Sequence, residues 1–123
     1  MKKLIILCCA MQCIFISSCW RNDNDISFRY TDNNESYTMD AWFSRNKTRK
    51  VERYMNDRIG GGNNMSFVNT QTDAQFTLND GSKFYMKKSP GHILIRMKKG
   101  EVSDETYFAM KDMCKGMKEV VIR

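Results

Sequence analysis

The 123-residue chain predicts an α+β domain, an antiparallel sheet of about four to six strands with a helix before and a helix after its central meander. Three observations carry this expectation. Apolar and polar residues alternate over residues 26–43 and again over 74–97, the period of half-buried strands. Apolar residues recur at helical spacing over 46–59 and 103–118. Short turn clusters, Asp32-Asn33-Asn34-Glu35, Asn79-Asp80-Gly81-Ser82 and Ser89-Pro90-Gly91, separate the alternating runs, so neighbouring strands connect tightly.

In chain order, Ile26, Phe28 and Tyr30 alternate with Ser27, Arg29 and Thr31 in a first strand. Tyr37, Met39, Ala41 and Phe43 then alternate with Thr38, Asp40, Trp42 and Ser44, either as the hairpin partner of that strand or as the lead into the helix that follows. Over 46–59, Val51, Tyr54, Met55 and Ile59 make one helix face, while the basic run, with Glu52 and Asp57, makes the other. Gly60-Gly61-Gly62 stops that helix, because glycine takes the left-handed stop conformation without penalty. It is not a phosphate-binding loop, since Asn63-Asn64-Met65 supplies neither the lysine nor the hydroxyl of one.

Residues 65–70 are a strand candidate, and Ala74, Phe76 and Leu78 mark the next. Asp80-Gly81 signals a tight hairpin, with Phe84 and Met86 on the return strand and Tyr85 on its opposite side. Residues 92–97 (HILIRM) form the most apolar strand and belong at the centre of the sheet. Ser103 is placed to cap a helix whose first turn holds Asp104 and Glu105. Its apolar stripe is Tyr107, Met110, Cys114 and Met117, widened by Phe108 and Met113, with Lys111, Asp112, Lys115 and Lys118 opposite. Residues 120–122 suggest a last short strand. The helices are expected to cover one sheet face, leaving the other to solvent or a partner, with Tyr30, Tyr37 and Tyr85 as candidate residues on it.

The first 25 residues read differently. Met1, Lys2 and Lys3 form a basic head, residues 4–16 are apolar apart from Gln12, and Ser17, Ser18 and Cys19 follow. This is the build of a secretory signal, and the run falls short of the roughly 20 residues that a spanning helix needs. Ile16-Ser17-Ser18-Cys19 resembles the lipobox of bacterial lipoproteins: an aliphatic residue, two small residues and an invariant cysteine. Ile stands where Leu is commonest. The resemblance implies a signal peptide at 1–18, cleavage before Cys19 and a lipid on its sulfur; the residues themselves read as a polar tether at 19–25 and, with no internal repeat or Pro-rich linker, as a single domain at 26–123. The resemblance also implies residence at the cell membrane or outer membrane, the domain facing the periplasm or the exterior. Trp20 is not the acidic residue that marks inner-membrane retention in that family, which favours the outer membrane. Two or three acyl chains, each contributing about 0.8 kcal/mol per buried CH₂, hold a protein firmly where one does not.

Of five cysteines, Cys8, Cys9 and Cys13 leave with the leader and Cys19 is consumed by lipid, so Cys114 stands alone and no disulfide staples the domain. Cys114 is expected to be a buried small hydrophobe. The net charge of +6 falls to +4 once Lys2 and Lys3 are removed. A possible basic surface comprises Arg45, Lys47, Arg49, Lys50 and Arg53, with Lys87 and Lys88 as a second group. Near an anionic membrane each such residue is worth about 1 kcal/mol; otherwise these residues form a solvated face. Export argues against nucleic acid as a partner.

Chemistry-bearing patterns are sparse. His92 is the one histidine, no G-x-S-x-G elbow occurs, and the cysteine and carboxylate spacings form no metal motif. The expectation is no enzyme activity, no cofactor and no metal. Two function classes stay open. One is an interaction module at the envelope, binding an envelope protein and including immunity or inhibitor roles. The other is a carrier of lipid or small ligand between sheet and helices, acting in envelope assembly.

Overall fold

A computed structural model describes residues 26–60, 63, 65–68 and 70–123. Residues 1–25, where a signal peptide, Cys19 and a tether are expected, therefore lie outside the described residues, as do Gly61 and Gly62. The fold is the expected α+β arrangement. Strands β1 (Ser27–Asp32) and β2 (Ser36–Trp42) form a hairpin. A first helix follows, with a 3₁₀ turn at Arg45–Lys47, the α-helix α1 at Thr48–Met55 and a wider π turn at Asn56–Gly60. Strands β3 (Thr72–Thr77), β4 (Lys83–Ser89) and β5 (His92–Lys98) make the meander, and helix α2 runs over Asp104–Ile122. The sheet order is β1-β2-β5-β4-β3, antiparallel throughout, with β5 in the middle.

Turn chemistry accounts for the short links. Asn33 Oδ1 accepts from the backbone amides of Glu35 and Ser36, both at 2.9 Å, closing the β1–β2 turn. Gly81 and Gly91 take φ of 85° and 79°, the left-handed region that glycine enters freely. Ser103 caps α2 by accepting from the Thr106 amide at 3.1 Å.

Tyr37, Met39 and Ala41 of β2, Phe84 and Met86 of β4, and Ile93, Ile95 and Met97 of β5 all point to one side. There they meet Val51, Met55 and Ile59 from the first helix and Met110, Met113, Cys114, Met117 and Val121 from α2 in one core cluster. The helices also meet each other. Tyr54 donates to the Met113 carbonyl at 3.1 Å, and Gly116 leaves room for that hydroxyl, since a Cβ there would stand 2.2 Å from it.

Several local expectations change. Residues 65–70 are not a strand among the described residues: the Met65 amide bonds to Gly60 O at 2.9 Å and the Phe67 amide to Asn56 Oδ1 at 2.7 Å. The segment is a loop pinned to the end of the first helix, with Phe67 as its buried anchor. Residues 120–122 continue α2, because Val121 prolongs the helical stripe into the core. Phe108 does not widen that stripe; it is 67% exposed, edge-on to Tyr107. Tyr30 and Tyr37 lie on the helix side, since the register puts them in phase with Met39; only Tyr85 of the three faces away. Glu52 and Lys88 are buried, at 4% and 2% exposure. Neighbours along a strand face opposite ways, so Lys87 stays on the outer face while Lys88 turns into the interior, where the Glu52 carboxylate meets it.

Candidate functional site

Two regions carry the chemistry. The first is the end of the sheet where β2 and β4 stop and β5 starts. The Phe43 amide donates to Gly91 O and the Gly91 amide to Thr48 Oγ1, both at 2.9 Å, which fixes the start of the first helix on the β4–β5 turn. A surface cleft of about 410 Å³ opens beside this junction, lined by residues that include Arg45, Arg49, Thr70 and Pro90, with Glu52 and Lys88 also in its wall. Lys88 Nζ donates to Glu52 Oε2 and to the Thr70 carbonyl, and Arg49 Nε lies 3.8 Å from Glu52 Oε1. A charge this far from water persists only when paired and hydrogen-bonded, and here both conditions hold.

The basic residues read from the sequence are thus divided. Arg45, Arg49 and Lys88 come together at the cleft. Lys47 and Lys50 donate to the backbone oxygen of Arg123, at 2.7 and 3.3 Å, just beyond the last turn of α2, where a helix dipole favours positive charge. Arg53 is exposed further along α1. Lys87 lies across the sheet, opposite Asp73 on β3 and Leu94 on β5.

The second region is the outer face of the sheet, which no helix covers among the described residues. Its rows follow from the register. Trp42 pairs with His92, Asp40 with Leu94, and Arg96 with both Thr38 and Tyr85. The Trp42 ring, 40% exposed, stacks on His92 with centroids 3.8 Å apart. His92 Nε2 lies 2.7 Å from Asp40 Oδ1, so the lone histidine is held by a carboxylate on one side and an indole on the other. The Arg96 guanidinium lies 5.6 Å over the Tyr85 ring. The Tyr85 hydroxyl donates to Asp73, which raises its pKa. Beside this pair is a depression of about 320 Å³ whose lining includes Gln75, Lys83, Tyr85, Arg96 and Lys98.

Sequence reasoning does not single out Trp42 or Asp40 as functional residues, and it reads Arg96 only as one of a basic group with Lys98 and Lys99. Their signal is present in the alternation, since Trp42 and Asp40 fall out of phase with the apolar set of β2. Which strands stand side by side is not visible there. Cys114 is buried, and loss of water pushes its thiol up to about 12, with the Tyr37 hydroxyl a smaller opposing influence. Tyr37 Oη itself is buried without a conventional partner. Among the described residues no group of three or more His, Cys, Asp or Glu is placed to hold a metal ion, and no helix is long and apolar enough to cross a membrane. Compared with protein-family models, curated proteins and solved structures, the chain gives no match.

Proposed function

We infer that the protein is an envelope lipoprotein, anchored by a lipid on Cys19, that acts as a protein-interaction module through the outer face of its sheet. An immunity or inhibitor role toward another exported protein falls within this class. The observation that carries the reading is the face itself: both helices pack on one side, and the other presents Trp42, Leu94, Tyr85 and Arg96 on adjacent strands. Trp, Tyr and Arg are the residue types that dominate interface hot spots. Between sheet and helices lies one cluster of buried methionine, isoleucine and phenylalanine side chains, which favours this reading over a carried ligand.

Two experiments test its two parts. Cys19→Ala should move the protein out of membranes washed with high salt; retention after the wash would defeat the anchor. Crosslinking in intact cells should trap one exported protein. Trp42→Ala combined with Arg96→Ala should lower that yield at least tenfold, since truncating a hot-spot residue costs about 2 kcal/mol or more. An undiminished yield would remove the outer face from the reading.

A further inference from the structure

The two ends of the sheet differ in charge. At the end where β2 stops, Arg45, Lys47, Arg49, Lys50 and Arg123 gather. Of the nearby carboxylates, Glu52 is charge-paired with Lys88, while Asp40 beside His92, Asp73 bonded to the Tyr85 hydroxyl, and exposed Glu119 keep their charge, so the five basic residues outnumber these three. The opposite end holds Asp32, Glu35, Asp80, Glu101, Asp104 and Glu105 among Lys83, Lys98, Lys99 and Lys111. The chain enters at the basic end, because Ser27 pairs with Trp42, where β2 stops. Ile26, the residue before it, is 44% exposed.

We propose that this basic end docks on an anionic phospholipid surface, with Arg45, Lys47, Arg49 and Lys50 toward the headgroups. The inference rests on the lipoprotein reading, because the anchor supplies the proximity. Cys19 lies seven residues before Ile26, at most about 25 Å of fully extended chain, so the basic end stays within reach of the bilayer. Attraction to a charged surface decays over a Debye length of about 8 Å at physiological salt. The seven residues of β5 span about 23 Å, which puts the carboxylates of the far end beyond significant repulsion. In the cleft, exposed Arg45 offers a headgroup phosphate its guanidinium, the donor best shaped for it, and Arg49, which also lies 3.8 Å from Glu52, adds positive charge beside it. Docked this way, the sheet stands upright and its outer face looks sideways, open to a partner.

The test uses the mature chain with Cys19→Ala, so that no lipid contributes, and vesicles of phosphatidylcholine with or without about a third phosphatidylglycerol. The protein should sediment with the anionic vesicles at low salt, ignore the neutral ones, and be released at about 1 M salt, where the Debye length is about 3 Å. Arg45→Ala and Lys50→Ala sit on exposed positions outside the Lys88–Glu52 pair, and each should lower binding about fivefold. Compared at physiological salt, Lys83→Ala and Lys98→Ala, at the far end, should change it by less than about twofold. No sedimentation with anionic vesicles at low salt overturns the proposal, and needs no variant to do so. Equal losses from both ends also overturn it, since only net charge would then be acting. The mass of the amino-terminal peptide from cells reports lipid on Cys19 separately, so loss of docking and loss of the anchor are distinct results.

Discussion

The two ends of the sheet close their turns against a helix by opposite means. At the far end the links are exposed and shared. Asp80 accepts from the Ser82 amide and the Ser103 hydroxyl, each at 2.8 Å, and from the Thr106 hydroxyl, joining the β3–β4 turn to the start of α2. Asp32 accepts from Lys111 at 2.7 Å and Tyr107 at 2.8 Å, joining β1 to the same helix. At the basic end the decisive link is one buried ion pair, Lys88 with Glu52, under a turn that has no space to spare. Many solvated links tolerate the loss of one. A buried charge does not, because its partner is then stranded away from water.

The largest effect should therefore come from Glu52→Ala, which leaves the Lys88 ammonium buried and should cost about 3–5 kcal/mol in urea unfolding. Adding Lys88→Met to the same chain should recover most of that loss. A cost under about 1 kcal/mol for the single change would mean that water reaches the pair, and the contrast between the ends would fail.

The turns give the next comparison. Alanine at a left-handed position costs about 1–2 kcal/mol. At Gly81 that is the whole effect, since a Cβ added there would meet no atom within 4 Å. At Gly91 a Cβ would stand 2.9 Å from the Phe43 carbonyl oxygen, so Gly91→Ala should be the more destabilising of the two in thermal melts. Equal costs would show that the β2–α1 junction yields.

The mildest effect concerns acid. Hydrogen bonds from Lys111 and then Tyr107 hold Asp32 down to about 2, and bonds from Thr106, then the Ser82 amide and Ser103, hold Asp80 well below the usual carboxylate range. Groups held ionised stabilise the fold above their unfolded pKa of about 4 and lose that contribution as pH falls through the folded values. Stability should thus decline from about pH 4 toward pH 2. Asp32→Asn with Asp80→Asn should flatten this decline; an unchanged acid limb would mean that these links are open in solution.

Much of this build is legible in the chain itself. Period-two alternation locates all five strands, the Asp-Gly and Pro-Gly turns locate the links of the meander, and Ser103 marks the start of α2. The misreadings share a cause. Residues 65–70 have strand composition, yet an asparagine side chain and a glycine carbonyl take up their backbone amides. Residues 120–122 are β-branched, yet the stripe of α2 carries them into the core. Lys87 and Lys88 look like one basic pair, and the strand sends them to opposite faces.

Sequence alone determined the lipobox-like pattern ending at Cys19 and the α+β class, because each is written in local spacing. Tertiary structure decided the rest. It brought Glu52 to Lys88 across 36 residues, set Trp42 on His92, and gathered Arg45, Lys47, Arg49 and Lys50 at the end where the chain enters. Those outcomes depend on strand order and register, which bring together residues far apart in the chain and leave no periodic trace within any one segment.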